Sequence, residues 1–259
     1  GARELVRWEP ETGASERYAL DGEVAAVAIT PAGDRLAALT TDGALWILDA
    51  GGAPRRLATG LEGDAPELSP DGAHVALRGE RATVLRVADG APIALAPGRY
   101  ATFSPDGREV AITGGERAAR CALATASCQE LARSFDTHHP AFGPAGELAA
   151  VRRGLEIVEW AAGKPSEEPT VVARHRATVN EITYSPDGRT LATAGQGPEV
   201  QLLDRASGEH RLLGGIQDHP TEVRFAGGKV LVADWFRVHT VTDDLPRGER
   251  ELRAAISLP

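Results

Sequence analysis

The sequence predicts an all-β fold, a β-propeller of small four-stranded antiparallel sheets. Three observations predict it. A short stretch built on a Pro-x-Gly turn recurs along the chain. Its copies are spaced by roughly 40 residues, the length of a four-stranded propeller blade. The apolar residues flanking each turn come in short runs with no helical period.

The recurring stretch reads "AITPAGDRLAALT" around Pro31, "PELSPDGAHVALR" around Pro70, "ATFSPDGREVAIT" around Pro105, "PAFGPAGELAAVR" around Pro144 and "ITYSPDGRTLATA" around Pro186. The prolines are 39, 35, 39 and 42 residues apart, and a shortened copy, "VRFAGGKVLVA", occupies 223–233. In the 186 copy, Val179, Ile182 and Tyr184 precede the turn and Leu191 and Thr193 follow it. Runs this short, bounded by turn residues, predict strands. No apolar period of 3.6 persists for the ~10–12 residues that a helix needs.

A second element follows each first one and contains a turn of its own: "ALWILDAGGAPRRL", "TVLRVADGAPIAL", "ARCALATASCQEL", "LEIVEWAAGKPSEEPTVV", "VQLLDRASGEHRLL" and "RVHTVTDDLPRGERELR". Each unit therefore reads as first strand, Pro-Asp-Gly-type turn, second strand, loop, third strand, Gly turn, fourth strand. The N-terminal "ELVRWEPETGASERYAL" (4–20) matches only the third-and-fourth-strand half, which makes seven such pairs against six first-and-second pairs. We favour seven blades with the N-terminal blade incomplete; a six-bladed ring with an extra N-terminal hairpin is the alternative. The units are 1–21 (partial), 23–59, 62–97, 98–134, 138–173, 175–214 and 217–255, which fill residues 1–259 as a single domain with short linkers.

The turn residues have a structural explanation. Pro105 and Pro186 preset φ at the first corner, Asp106 and Asp187 bond nearby backbone, and Gly107 and Gly188 accept positive φ. These needs account for the motif without a ligand.

Net charge is −9, which disfavours nucleic acid as a partner, and no apolar run is long enough for membrane insertion. Aromatics are 5% of residues, whereas Gly (29) and Pro (17) are plentiful, as a turn-rich fold requires. The sequence contains no methionine, from which we expect a mature or excised piece of a larger protein. The Ala/Arg/Gly-heavy composition suggests a bacterial source. Cys121 and Cys128 lie in "CALATASC"; a two-residue turn centred on Ala124–Thr125 would set them opposite each other, where a disulfide is geometrically feasible. Two reduced, partly buried thiols are the alternative. A disulfide would favour the periplasm or cell exterior; otherwise the expected location is cytoplasmic.

The best copy, "RHRATVNEITYSPDGRTLATAGQGPEVQLLDRASGEHRLL" (174–213), resembles the WD-repeat family of β-propellers. Such repeats open with Gly-His, reach a Phe-Ser-Pro-Asp-Gly turn and close the third strand with Trp-Asp. Here His175 stands ten residues before Ser185, Arg174 replaces the Gly, and Leu203–Asp204 replaces Trp-Asp. Near copies of the closing pair are Trp8–Glu9, Trp160 and Asp49. The resemblance assigns His175 and Thr193 to the family's buried hydrogen-bond network, whose Asp and Trp members are missing in this repeat. The Ser-Pro-Asp-Gly turn is equally similar to that of TolB-like exported propellers.

Among candidate sites, His138, His139, His175 and His219 fall in predicted fourth-to-first-strand connections, but on successive units, so no metal site is predicted. No Gly-x-Ser-x-Gly elbow or His-Glu-x-x-His helix occurs. "TGGERA" (113–118) lacks the glycine frame of a phosphate loop, and Asp243–Asp244 and Glu167–Glu168 lie in polar turns. No enzyme activity and no cofactor are predicted. The one aromatic cluster, "ADWFRVHT" (233–240), places Trp235, Phe236 and Arg237 as partner-binding residues, with packing between blades as the alternative role for Trp235. The resemblance implies a non-catalytic protein–protein interaction, scaffold or sensor module of a larger bacterial signalling or regulatory protein, its partner a protein or an effector domain of the same parent. Alternatives are an exported propeller binding an envelope protein or small ligand, and a propeller enzyme with its site at the channel mouth.

Overall fold

Short runs bounded by turns do become strands, and the architecture is all-β. The computed structural model describes residues 3–8, 13–134, 137–196, 200–213, 220–226, 229–233, 237–242 and 253–257, the last two as strand backbone. Among these residues there is no helix. The strands form one two-stranded and six four-stranded antiparallel sheets, each a simple meander in chain order.

The two-stranded sheet is β1 (Glu4–Trp8) and β2 (Ser15–Ala19). The four-stranded sheets are, first, β3 (Val24–Ile29), β4 (Arg35–Thr40), β5 (Leu45–Asp49) and β6 (Arg55–Ala58); then β7 (Ala65–Leu68), β8 (His74–Arg78), β9 (Thr83–Arg86) and β10 (Pro92–Ile93); then β11 (Tyr100–Phe103), β12 (Glu109–Thr113), β13 (Ala119–Ala122) and β14 (Ser127–Glu130). There follow β15 (Thr137–Phe142), β16 (Leu148–Arg152), β17 (Glu156–Trp160) and β18 (Thr170–Arg174); β19 (Val179–Tyr184), β20 (Thr190–Gly195), β21 (Val200–Asp204) and β22 (His210–Leu213); and β23 (Glu222–Ala226), β24 (Lys229–Ala233), β25 (Arg237–Thr242) and β26 (Arg253–Ser257). The chain divides into two compact units, Gly1–Ile112 with Ala119–Cys128, and Thr113–Ala118 with Gln129–Pro259.

Composition sorts the strands within each sheet. The second and third strands are near-continuous apolar runs and are buried on both faces, as in "LAALT" with "LWILD" and "LAAVR" with "EIVEW". Fourth strands such as "SCQE" are polar and exposed. Within each unit, the first strand of a four-stranded sheet that follows another four-stranded sheet lies against strands of the sheet before it. In the first unit β3 and β4 lie against β7, and β8 against β11; in the second, β15 and β16 lie against β19, and β19 and β20 against β23. The apolar clusters sit at these junctions. One joins Leu39, Ile47 and Leu45 to Leu68, Val75 and Leu77, and another joins Val151 and Ile157 to Ile182, Tyr184 and Leu191.

Three first-to-second strand pairs carry a register shift near the start of the first strand: Val24/Ala26, His138/Ala141 and Val179/Glu181. This corrects the expected position of His138 and His139. They lie in β15 and not in a connection, because pairing already begins at Thr137↔Arg152 and the bulge absorbs the extra residues, with His139 at φ 46°. His219 is outside the described residues.

The Ser-Pro-Asp-Gly turns close identically. Ser69, Ser104 and Ser185 donate through Oγ to Asp71, Asp106 and Asp187 Oδ1 at 2.6, 2.6 and 2.7 Å. The same carboxylate oxygens accept from Ala73, Arg108 and Arg189 N–H at 3.0–3.1 Å. Each Ser Oγ also accepts the N–H that opens the second strand, from His74, Glu109 and Thr190 at 2.9 Å. One hydroxyl and one carboxylate thus satisfy the corner locally.

Gly188 shows why the last turn position is glycine. Its φ is +70°, and a Cβ there would stand 2.8 Å from Pro144 Cγ of the preceding sheet's turn. Gly188→Ala is therefore expected to cost more than the ~1–2 kcal/mol of the left-handed conformation alone, read as a fall in urea midpoint at unchanged slope. A substitution that leaves the midpoint in place would show that the two turns separate freely.

Candidate protein-interaction surface

The second-to-third-strand connection of sheet β15–β18 is a three-residue turn, Arg153-Gly154-Leu155, with Arg153 at φ 52° and Gly154 at φ 73°. It is tied down from behind. His175 N–H donates to Leu155 O and Val179 N–H to Gly154 O, both at 2.9 Å. His175 is buried, and its Nε2 lies 2.6 Å from Thr193 Oγ1 in the next sheet. The pair named by family resemblance is thus in hydrogen-bond contact and anchors this loop to its neighbour.

The outward side of the anchored loop is basic. Arg152 donates to Glu156 Oε2 through Nε (3.0 Å) and Nη2 (2.9 Å), and Arg174 Nη2 lies 3.0 Å from Glu156 Oε1. Those hydrogen bonds and the nearby positive charge of Arg152, Arg174 and Arg153 hold the Glu156 carboxyl below the usual range. Arg153, Arg174 and Arg176 are exposed, as is Leu155. Arg152, Arg153 and Arg174 surround one glutamate here, with exposed Arg176 nearby in sequence, on a chain whose formal charge is −9. A rigid basic loop with an apolar centre suits an acidic protein surface.

A cavity of about 190 Å³ lies at the "TGGERA" loop, lined by Arg117, Glu130, Arg133 and Ser134. Its polar groups already have partners. Arg117 pairs with Glu130, Arg133 Nη1 with Glu168 at 2.8 Å, and Ser134 Oγ accepts Ala118 N–H at 2.9 Å. Arg133 adopts φ 48° and Gly114 φ 81°, with Gly114 N–H donating to Thr137 O; this backbone forms no helix N-terminus for a phosphate.

Sequence reasoning did not find the half-buried charge cluster between sheets β15–β18 and β19–β22. Arg205 reaches Glu147 Oε1 through Nη1 (2.9 Å), Glu159 Oε1 through Nη2 (2.9 Å) and Oε2 through Nε (3.1 Å), and Gly188 O through Nη1 (2.7 Å). Tyr184 OH donates to Glu159 Oε2 at 2.7 Å, and the Arg205 guanidinium lies 5.2 Å from the Tyr184 ring centre. The signal for it was "FGPAGE" (142–147), the turn that lacks both Ser and Asp. There Glu147 Oε2 takes over the Asp role by accepting Ala145 N–H at 3.0 Å. A Cβ on Gly143 would stand 2.6 Å from that oxygen, so a larger residue at the Ser position would push the Glu147 carboxylate aside. With each carboxylate engaged by Arg205, this cluster ties two sheets together and leaves no carboxylate poised over a cavity.

The predicted partner-binding residues Trp235 and Phe236 lie outside the described residues, and Arg237 opens β25 opposite Ser257. Cys121 and Cys128 form a disulfide across β13 and β14. The connection is four residues, Leu123–Ala126, and not two. Leu123 N–H still donates to Arg108 O, which prolongs the ladder on one side, and Ala126 turns the chain back at φ 53°. Among the described residues no group of three or more His, Cys, Asp or Glu side chains is arranged to hold a metal ion, and no helix is long and apolar enough to cross a membrane.

Asp106 and Asp187 are held below the usual carboxylate range, chiefly by the Ser104 and Ser185 hydroxyls and then by the Arg108 and Arg189 N–H groups. A depressed folded-state pKa gives stability that is present above the unfolded value near 4 and lost as pH falls below it. Thermal stability is therefore expected to fall below about pH 4, and Asp106→Asn with Asp187→Asn to flatten that limb. An unchanged acid limb in the double variant would locate the acid-sensitive groups elsewhere.

No protein-family model matches this chain, and a comparison with curated proteins finds no match.

Proposed function

We propose that the chain is a WD-repeat-like β-propeller of seven blades, the N-terminal one incomplete, that works as a non-catalytic protein-interaction or sensor module of a larger bacterial signalling or regulatory protein. The observation that carries this reading is how the repeat uses its polar residues. Ser, Asp and Thr of the turns bond their own backbone, and His175, Glu147, Glu159 and Arg205 join one sheet to the next. What remains for recognition is the connecting loops, and the basic Arg153–Leu155 loop with Arg174 and Arg176 is one that backbone hydrogen bonds hold in place. An acidic segment of a protein partner is the ligand class that fits it.

The test is capture of the partner by three forms of the folded protein: unmodified, Arg153→Glu/Arg176→Glu, and Trp235→Ala/Phe236→Ala. Loss of capture in the charge-reversed form supports the basic loop, and loss in the aromatic form supports the 235–237 cluster. A partner retained by both removes the interaction reading at these loops. Counting sheets around the ring in an experimental structure decides between seven blades and six.

The Cys121–Cys128 disulfide favours a second reading, an exported TolB-like propeller that binds an envelope protein. Non-reducing mass spectrometry of protein taken from its native source separates the two. An oxidised pair supports export, and two free thiols support the cytoplasm.

A further inference from the structure

Among the described residues, β1 has a hydrogen-bonded strand on one side only, β2. Leu20 N–H donates to Arg3 O, so Arg3, Leu5 and Arg7 take the bonded positions opposite β2, and the alternation of an antiparallel ladder turns the N–H and C=O groups of Glu4, Val6 and Trp8 to the open edge. Every other third strand has a second strand at that edge.

The first strand of the next sheet is uncovered to match. Aligned on their turns, Ile29 of β3 occupies the position of Leu68, Phe103 and Tyr184. Those three are 6, 5 and 8% exposed, whereas Ile29 is 58% exposed. Val27, two residues earlier, is 54% exposed, whereas its counterpart Ile182 is 4% exposed. β7, β11 and β19 are covered by the inner strands of the sheet before them; for β3 that sheet is β1–β2, which has no such strands.

We propose that the open edge of β1 and the bare face of β3 form an acceptor site for a β-hairpin of the repeat's own first-and-second-strand type, carried by polypeptide outside residues 1–259. The site continues an interface that the fold already uses at its other junctions. Charge specifies the hairpin further. "ELVRW" of β1 matches "EIVEW" of β17, where Glu156 at the first position faces and pairs with Arg152 at the end of the second strand. Glu4 is the corresponding carboxylate; like Glu156, which Arg174 of the fourth strand also reaches, it already has a cation on its own sheet, Arg17 at 3.2 Å, and an incoming second strand that ends in a basic residue, as "LAAVR" does, would supply the second. Its backbone would complete the β1 ladder, and the apolar side of its first strand would cover Val27 and Ile29.

The test adds a synthetic peptide of residues 137–152, "THHPAFGPAGELAAVR", at about 1 mM to the full chain and follows amide hydrogen exchange at β1. The expected result is exchange slowed about tenfold at the Val6 and Trp8 amides, with a blue-shifted Trp8 emission, and neither effect from a scrambled peptide. Val6→Pro removes an N–H that points to the open edge and leaves the bonds to β2, so it is expected to abolish the effect. Should that variant fail to fold, Ile29→Asp, a charge on the bare face, tests the same site and is expected to weaken the effect. No slowing at 1 mM, equal slowing by the scrambled peptide, or binding unchanged in the folded variant overturns the proposal. A dimer of the full chain that Val6→Pro dissociates also overturns it, by assigning the edge to a second copy.

Discussion

Arg205→Ala is expected to lower the folding free energy by about 3–5 kcal/mol, the cost of leaving buried charge unpaired. Glu147 and Glu159 side chains are only 11% and 16% exposed, and both lean on this one guanidinium. Removing it leaves two carboxylates without their counter-charge, with only the Ala145 N–H and the Tyr184 hydroxyl still bonded to them, and frees the Gly188 carbonyl at the contact between turns. Arg205→Lys keeps the charge but not the fork that spans both carboxylates, so an intermediate loss is expected. Urea denaturation of the three proteins measures this directly, and a loss below about 1 kcal/mol for the alanine variant would mean that water replaces the guanidinium without difficulty. The same cluster has an alkaline signature. Burial, followed by the Glu159 charge and hydrogen bond, pushes the Tyr184 phenol well above its ordinary value. A raised folded-state pKa gives stability that is full below the unfolded tyrosine's value near 10 and is lost as pH rises past it. Tyr184→Phe is expected to weaken that alkaline loss.

Opening the Cys121–Cys128 bond is expected to cost roughly 2–3 kcal/mol, from the loop entropy released to the unfolded chain. The two cysteines are 7 positions apart in sequence, so the closed loop is short and the effect stays at the low end for disulfides. Cys121 is fully buried beside Ala76, Val110 and Leu123, whereas Cys128 is exposed on β14. Damage from Cys121→Ala/Cys128→Ala should therefore concentrate in β13 and β14, seen as faster amide exchange there and a lower melting temperature. Reductant should reproduce the loss in the unmodified protein and do nothing to the double variant. A melting temperature indifferent to reductant would show that the fold carries its stability without the bond.

The parts of the fold that were legible in the sequence are those closed by neighbours in the chain. The Ser-Pro-Asp-Gly corner needs only six consecutive residues, so the order of strands and turns could be read from it. His175 with Thr193 was legible only through the resemblance to WD repeats, which pairs those two positions; the structure brings them, 18 residues apart, into hydrogen-bond contact. The histidines at 138 and 139 were misplaced because a bulge adds residues to a strand without changing its composition. The Glu147–Arg205 contact spans 58 residues and belongs to no repeat position, so only the missing Ser and Asp of "FGPAGE" hinted at it.

By itself the sequence determined that this protein is all-β and that its sheets are four-stranded meanders of about 40 residues. These follow from local turn chemistry and a short apolar period, which act within a few residues. Only the tertiary structure decided which polar groups join sheet to sheet, that the Arg153–Leu155 loop is basic on its outward side, and that among the described residues no strand pairs with the second edge of β1 while Val27 and Ile29 lie exposed. Those properties depend on what covers a residue from another part of the chain, and a pattern of residue types carries no record of what is absent above it.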